Sequence, residues 1–258
     1  MNTDETDYTD EFAGGLELMW GDGFLSPGGA EEVALITRGL DLYDKEILDV
    51  GSGLGGPAIC LASQYGADHV TGIDIDPLNV ERAIKNAAKS GVTDKLFFNT
   101  VEAGRFPFAD NSFDIVFSKD SIIEAPNKEE ILSESFRVLR SDGWLAIGDW
   151  FCGSAAFTPE MEEWLTQVGV TLEMTTIEEA ADQLQKIGFR DVQIADRNKW
   201  YQEYSKQEVE RMSGEDRQKF EQLLGEDETA AWIKATNLKS KAVAQGQLRP
   251  GHLRARKP

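Results

Sequence analysis

The run ILDVGSGLGGP at residues 47–57 constrains the fold of this chain more than any other segment. Its first half is short and apolar and ends at a glycine, which is typical of a buried strand. Glycines at 51, 53 and 56 then allow a ligand to approach the backbone without meeting a Cβ atom. Pro57 is tolerated in the first turn of a helix. The run therefore predicts a strand, a ligand-binding turn and a helix.

The same alternation continues along the chain. The sequence predicts strands at 45–51, 69–76, 95–100, 113–118 and 143–149, and helices at 11–19, 30–39, 54–65, 77–89 and 127–139. Strands that alternate with helices are typical of a parallel, doubly wound α/β sheet. Beyond Asp149 we expect helices at 160–169 and 176–188, a strand at 189–195, a charged helical segment at 201–244 and a last strand at 251–257. Helices placed late in such a chain are expected to cover the carboxyl edge of the sheet, where ligands bind.

Composition narrows the class of partner. The chain has 258 residues, of which 41% are apolar, and a formal net charge of −20. This charge argues against nucleic acid and against anionic membranes as partners, because both require a basic surface. No run of about 18 uncharged apolar residues predicts a membrane-spanning helix. The acidic start of the chain lacks the apolar segment of a signal peptide, so we expect a cytoplasmic protein.

The two cysteines and two histidines of the chain predict no metal site. Cys60 and Cys152 form no C-x-x-C pattern and are interpreted as buried thiols. His69 and His252 are the only histidines of the chain, and neither lies at a metal-binding spacing from other ligands. We interpret His69 as a surface or structural residue and His252 as a structural residue.

Acidic residues around the glycine run indicate which ligand it binds. Asp49 stands two residues before Gly51, where a carboxylate repels a pyrophosphate and favours an ammonium group. Asp74 ends the second strand and is expected to accept both ribose hydroxyls, as in NAD enzymes. Glu102, with Ala103 beside it, is expected to meet the adenine amino group. An NAD-dependent oxidoreductase is the alternative, but it predicts an apolar residue at position 49.

Four segments in order over about residues 45–150 resemble class I S-adenosylmethionine-dependent methyltransferases: ILDVGSGLGG, GIDID, FPFADNSFDIVFSKDS and FRVLRSDGWLAIGDW. The resemblance implies a Rossmann-like sheet, S-adenosylmethionine as cofactor, S-adenosylhomocysteine as product and no metal. It also implies cofactor contacts at Leu25, Ser26, Gly53, Ile75 and Lys119.

A narrower resemblance, to phosphoethanolamine N-methyltransferases, is carried by YTDEF, GDGFLSPGG, SKDSIIEA and GHLRARK. It implies an N-terminal lid over residues 1–29 and one methyltransferase domain over 30–258, with its core at 45–150 and a helical cap and last strands at 151–258. Tyr8 and Asp120 match the family's catalytic tyrosine and aspartate. Glu124 stands where that family has its catalytic histidine.

The segment that binds phosphate in that family differs in this chain. Trp164, Val168 and Val170 stand where the family has tyrosine, arginine and tyrosine, and Trp150 replaces another tyrosine. Valine offers no charge-assisted donor to a phosphate. Lys239 matches a phosphate-contacting lysine. We therefore interpret Trp150, Trp164 and Lys239 as substrate-binding residues for an acceptor without phosphate.

These residues predict N-methylation of a small amine or an amino-acid-like zwitterion. Asp120 and Glu124 lie four residues apart, which is one turn if the segment is helical. Together with tryptophan faces they would attract an ammonium group, and either carboxylate would accept the proton of the attacking amine. Lys239 or Arg249 would hold a carboxylate of the acceptor.

Several alternatives remain open from the sequence. The acceptor atom can be sulfur or oxygen of a small metabolite, or the substrate can be of the phosphoethanolamine type. The chain can also be a cofactor-binding partner without activity. In a further interpretation, the tryptophans belong to the core and Glu124 is exposed.

Overall fold

The computed structural model describes residues 9–153, 156–168 and 174–258. The described residues form a seven-stranded sheet in the order β3-β2-β1-β4-β5-β7-β6. The strands are β1 Glu46–Val50, β2 His69–Asp74, β3 Leu96–Thr100, β4 Phe113–Lys119, β5 Leu139–Cys152, β6 Arg190–Asp196 and β7 Leu248–Arg256. The predicted doubly wound α/β sheet is therefore confirmed.

The parallel arrangement holds for β1 to β5, but β7 runs antiparallel to both of its neighbours, β5 and β6. The chain enters β7 at Leu248, which pairs with Cys152 at the carboxyl end of β5. The chain is therefore already at the carboxyl edge of the sheet when β7 begins, so β7 runs in the opposite direction to β5. A wholly parallel sheet would need another crossover back to the other edge.

Ten helices are present among the described residues: α1 Asp10–Trp20, α2 Gly29–Ile36, α3 Gly56–Gln64, α4 Pro77–Ser90, α5 Lys128–Val138, α6 Pro159–Val168, α7 Ile177–Ile187, α8 Asn198–Ser213, α9 Arg217–Leu224 and α10 Glu226–Ala244. Two short 3-10 helices span Thr93–Lys95 and Ile122–Glu124. The charged segment predicted as helical divides into α8, α9 and α10. No helix in the described ranges has the length and apolar character needed to cross a bilayer.

Helix starts agree with local capping chemistry. The Asp76 side chain accepts a hydrogen bond from Leu78 N, and Pro77 occupies the first turn of α4. Thr176 and Glu179 form a reciprocal capping box at the start of α7. Side-chain caps of this kind satisfy backbone donors that the first helical turn leaves unpaired. The helix boundaries are therefore readable from sequence to within about a turn.

The core lies on both faces of the sheet. Ile47 belongs to the hydrophobic cluster on one face and Leu48 to the cluster on the other, and both are fully buried. Central parallel strands are apolar on both sides for this reason. A third cluster gathers Met161, Tyr201, Val243 and Leu248 under α6, α8 and α10. This last cluster lies beside the carboxyl ends of β4 and β5, where the predicted acceptor residues stand.

Candidate active site

Asp49 is a buried carboxylate at the end of β1. The residue is 1% exposed, and among the described residues neither carboxylate oxygen has a hydrogen-bond partner. Burial and the nearby Asp74 carboxylate raise the pKa of Asp49 to about 8, against a smaller opposite effect of Lys119. Burying an ionised group is costly unless it is paired. The position therefore fits a cationic ligand group such as the ammonium of S-adenosylmethionine.

The glycine turn after β1 has little room for side chains. Gly51 has a φ of +72°, and a Cβ atom on it would lie 1.8 Å from Ser121 Oγ. The N–H groups of Gly51 and Ser52 both donate to the carbonyl of Ile73, at 2.8 and 3.0 Å. The turn is thus fixed against the end of β2, with its backbone at the predicted ligand edge.

Asp74 ends β2 and faces this turn. Its Oδ2 accepts a hydrogen bond from Gly53 N at 2.8 Å, and its Oδ1 accepts one from Asp76 N at 2.9 Å. Each oxygen retains a further lone pair, which fits the two hydroxyls of a ribose. Ile75 is 67% exposed and offers an apolar surface beside it. The side chain of Leu25 lies against Gly53 from the N-terminal loop.

Glu102 and Ala103 follow the end of β3, and both are exposed. Val101 N donates to the carbonyl of Asp74 at 2.9 Å, so the segment starts beside the predicted ribose-binding residue. This placement is consistent with the predicted adenine contact, which stays a prediction.

Lys119 connects the cofactor side of the site with the acceptor side. Its side chain is almost fully buried at the end of β4, where Nζ donates to Ser26 Oγ and to Asp120 Oδ2, the latter at 2.7 Å. It also acts electrostatically on Asp49. Asp120 itself has a φ of +54°, which is uncommon for a residue with a side chain. Its N–H donates to the carbonyl of Gly148 at 2.8 Å.

Asp120 and Glu124 do not lie on one helical turn, the arrangement they would have if this segment were helical. Only Ile122–Glu124 is helical, as a single 3-10 turn, and Asp120 lies outside it in the left-handed region. Pro126 limits the turn because it disfavours α-helical backbone at the preceding residue, and Ala125 is extended. Glu124 is exposed, as the alternative interpretation has it.

Asp149 is a site residue that the sequence interpretation missed. It is 5% exposed, and its two oxygens accept hydrogen bonds from Ile123 N at 2.9 Å and Trp150 N at 2.8 Å. Burial, followed by the charges of Asp120 and Glu124, raises its pKa well above the ordinary value. The available signal was an acidic residue at the end of a predicted strand, as at Asp49.

The two tryptophans differ in their surroundings. Trp150 packs edge-on against Tyr201, with ring centroids 4.8 Å apart, and lines a cavity together with Asp120 and Asp149. Trp164 is partly buried on α6 against the third hydrophobic cluster. The structure therefore brings Trp150 together with the carboxylates, while Trp164 is half-buried and packs against the same third cluster as Trp150.

Lys239 is held by a buried carboxylate. Its Nζ lies 3.1 Å from Glu208 Oε2 and within 5.5 Å of the ring centroids of Trp20 and Tyr201. Glu208 also accepts hydrogen bonds from Trp20 Nε1 and from the Tyr201 hydroxyl. Sequence reasoning did not find Glu208 because it lies within a long charged helix. Arg249 is paired with Asp196.

Some predicted residues fall elsewhere. Tyr8 and Val170 lie outside the described residues. His252 is buried, and its Nε2 lies 2.6 Å from Glu32 Oε1, which agrees with a structural role. His69 lies near Glu46 and Asp68, a grouping of ligand atoms within 4.8 Å that residue spacing did not reveal. It stands at the opposite edge of the sheet from Gly51, and the expectation of no metal stays untested.

Comparison with known proteins agrees with this geometry. A family described as a methyltransferase domain matches residues 43–213. The chain is 29% identical to a phosphoethanolamine N-methyltransferase from Plasmodium falciparum over 267 aligned positions, which cover 100% of this chain and 97% of that protein. It is 31% identical to phosphoethanolamine N-methyltransferase 2 from Caenorhabditis elegans over 74% of this chain and 43% of that one.

A solved structure is also similar over nearly the whole chain. It is phosphoethanolamine N-methyltransferase 2 from Haemonchus contortus in complex with phosphomonomethylethanolamine and S-adenosylhomocysteine, with a TM-score of 0.90 and 25% identity. The match covers 99% of this chain and 59% of that one. The chain thus spans less than two thirds of the nematode enzymes. It belongs to the methyltransferase domain family and is an S-adenosylmethionine-dependent methyltransferase.

Proposed function

We propose that the chain N-methylates a small amine or an amino-acid-like zwitterion that carries no phosphate. The observation that supports this most is the group of carboxylates at the ends of β4 and β5. Asp120 and Asp149 line one cavity with Trp150, and Glu124 adds a third charge that acts on Asp149. Carboxylates and an aromatic face together attract an ammonium group.

The residues of this chain have separable tasks in such a reaction. S-adenosylmethionine supplies an electrophilic methyl group, which an amine lone pair accepts in an in-line displacement. Asp120 and Glu124 orient the amine and take up the proton that it loses. Trp150 shields the acceptor from water and provides an aromatic face for the product cation. Lys119 forms an ion pair with Asp120 and offsets its charge.

The phosphate-binding positions support an acceptor without phosphate. Val168 is 38% exposed at the end of α6 and carries no donor. Lys239 is already paired with Glu208 at 3.1 Å. A phosphate dianion requires several charge-assisted donors, and these two positions offer only a single neutralised cation. A small cationic acceptor therefore fits this chain better.

Phosphoethanolamine is the second candidate substrate. The whole-length similarity to the Plasmodium falciparum enzyme favours it. Sulfur or oxygen methylation remains an alternative within methyl transfer, since a thioether needs no base. The acceptor pocket, rather than the cofactor site, distinguishes these candidates.

An acceptor panel tests the proposal directly. S-adenosylhomocysteine release is measured with primary amines, amino acids, N-methylated amino acids, thioethers and phosphoethanolamine, each at several concentrations. We expect turnover of at least one phosphate-free amine with a kcat/KM well above that of phosphoethanolamine. Faster turnover of phosphoethanolamine would contradict the proposed acceptor class, and turnover of a thioether alone would contradict N-methylation.

Glu124→Gln is expected to lower kcat/KM for the amine acceptor by about 10²- to 10⁴-fold, the range for loss of a general base. Affinity for S-adenosylhomocysteine should stay within about twofold, because Glu124 lies at the acceptor end of β4. Glu129→Gln is the matched control, since Glu129 is also an exposed acid and lies in the first turn of α5. Equal rates for the two variants would remove Glu124 from the proposed site.

We also propose that residues 1–29 act as a lid over a single methyltransferase domain, with Tyr8 closing on the ligands. α1 is held to the rest of the chain by an ion pair between Asp10 and Arg82 and by the hydrogen bond from Trp20 to Glu208. Tyr8→Phe should lower turnover and leave cofactor affinity nearly intact. A wild-type rate with the true acceptor would show that the Tyr8 hydroxyl has no part in closure.

A further inference from the structure

The ends of β4 and β5 bring two carboxyl groups side by side. Lys119 pairs with Gly148 across these parallel strands, so Asp120 and Asp149 occupy the next positions. Neighbouring strands are about 4.8 Å apart. Both residues line the same cavity as Trp150. The two acids thus form a pair at the point where the acceptor is expected to bind.

Asp149 is also a structural junction of the acceptor site. Its Oδ2 accepts the Ile123 N–H at 2.9 Å, which holds the 3-10 turn that ends in Glu124. Its Oδ1 accepts the Trp150 N–H at 2.8 Å. The buried Asp149 side chain therefore holds the backbone next to Glu124, the proposed base, and the backbone of Trp150.

We propose that Asp149 is a positioning residue for methyl transfer, which holds Glu124 and Trp150 in place and adds a buried carboxyl group to the acceptor pocket. This inference rests on the proposed function, since it assumes a cationic amine as acceptor. Its own content is that Asp149 acts through its neighbours and through its charge. It requires no contact between Asp149 and the reacting atoms.

The electrostatic surroundings make this role dependent on pH. Burial, then the charge of Asp120 and then that of Glu124 raise the pKa of Asp149 well above the ordinary value, so without acceptor this carboxyl keeps its proton to a higher pH than an ordinary aspartate does. An ammonium group nearby favours the ionised form. An ammonium acceptor should therefore lower the pKa of Asp149, and over the pH range in which the free carboxyl titrates, acceptor affinity should increase as the pH rises.

The other ionisable groups near Asp149 are paired with opposite charges, uncharged or exposed to solvent. Lys119 is bound to Asp120, and Glu32 accepts hydrogen bonds from Arg197 and His252. Tyr201 is buried and its pKa is raised well above the ordinary value, so it stays neutral. Glu124 is exposed. Glu32, Lys119 and His252 line the cavity with Asp120 and Asp149. Arg197 pairs with Glu32, Tyr201 packs against Trp150, and the charge of Glu124 acts on Asp149.

Asp149→Asn tests the inference with the full chain and the amine found by the acceptor panel. The steady-state KM and kcat are measured from pH 6 to 9, together with the affinity for S-adenosylhomocysteine. We expect KM for the amine to rise about tenfold or more, and the wild-type decrease of KM with pH to become flat. Cofactor affinity should stay within about twofold. Asp142→Asn is the matched control, because Asp142 is an exposed aspartate on β5.

The outcomes separate this inference from the proposed function. A variant with altered KM but an unchanged pH slope would mean that Asp149 only supports the fold, and would overturn the inference. Should the variant fail to fold, calorimetry of amine binding to the wild-type S-adenosylhomocysteine complex in two buffers of different ionisation enthalpy replaces it. Proton release supports the inference, and its absence overturns it. If the panel shows no amine acceptor, both proposals fall together.

Discussion

Gly51→Ala is expected to abolish cofactor binding and to lower the free energy of unfolding by roughly 3 kcal/mol or more. Two effects combine. The φ of +72° is unfavourable for alanine, and the new Cβ would lie 1.8 Å from Ser121 Oγ. The turn must therefore shift, and with it the backbone that approaches the ligand. Denaturant unfolding and calorimetric titration with S-adenosylhomocysteine measure the two losses.

Gly91→Ala is the control that separates the cost of a positive φ from the cost of a steric contact. Gly91 follows α4 with a φ of +78°, and a Cβ there has nothing within 4 Å. This control carries only the left-handed cost of about 1–2 kcal/mol and should bind cofactor normally. Gly51→Ala combined with Ser121→Gly should recover part of the lost stability. Equal destabilisation by Gly51→Ala and Gly91→Ala would show that the turn is not closely packed against Ser121.

Asp49→Asn is expected to weaken S-adenosylhomocysteine binding by about 100-fold or more, since loss of one partner of a buried charge pair costs roughly 2–5 kcal/mol. The fold itself should not suffer. Without ligand the carboxyl has a pKa of about 8 and is mostly protonated at neutral pH, which asparagine resembles in shape and charge. Calorimetric titration measures the affinity, and thermal unfolding without ligand measures stability.

The pH dependence of this variant has a defined sign. Between the ordinary aspartate pKa and about 8, the unfolded state has released a proton that native Asp49 still holds. Stability of the ligand-free wild type therefore receives a contribution that falls as pH rises through this range. Asp49→Asn lacks it, so its stability relative to wild type should increase from pH 5 to pH 8.

Cofactor affinity has the opposite trend. Wild-type affinity should rise over the same range, because Asp49 must ionise to pair with the ammonium group. Asp114→Asn is the control on the opposite edge of the sheet, where Asp114 accepts a hydrogen bond from Glu46 N and pairs with Arg140. A variant at Asp49 that binds S-adenosylhomocysteine as tightly as this control would disprove the assignment of Asp49.

Local sequence was sufficient to place the residues predicted to bind the cofactor at one edge of the sheet. The β1 strand, the glycine turn and the acids Asp49 and Asp74 lie within 28 residues of one another. In a parallel sheet the ends of such strands meet at one edge, so an acid that follows a strand is placed by secondary structure alone. Helix caps such as Asp76 and Thr176 were likewise local.

The acceptor half depends on contacts between distant residues. Glu208 meets Lys239 and Trp20 only when α1, α8 and α10 pack together. Asp149 links two parts of the site because Ile123 N, in the 3-10 turn, donates a hydrogen bond to its Oδ2, a contact that sequence spacing does not predict. Asp120 and Glu124 do not share a helical turn, because a positive φ and Pro126 interrupt the segment. Periodicity describes an element and carries no information on packing between elements.

Short-range spacing in the sequence determined the alternating fold. The methyl donor followed from the resemblance of four ordered segments to class I methyltransferases, and Asp49 and Asp74 are the acids predicted to face it. The tertiary structure decided which groups lie together at the proposed acceptor site: a buried Asp149 that shares a cavity with Asp120 and Trp150, and a Lys239 that is paired with Glu208. These depend on burial and on charges brought together from separate elements. Burial and neighbouring charge, and not residue type alone, set whether a carboxyl is ionised and what it can bind.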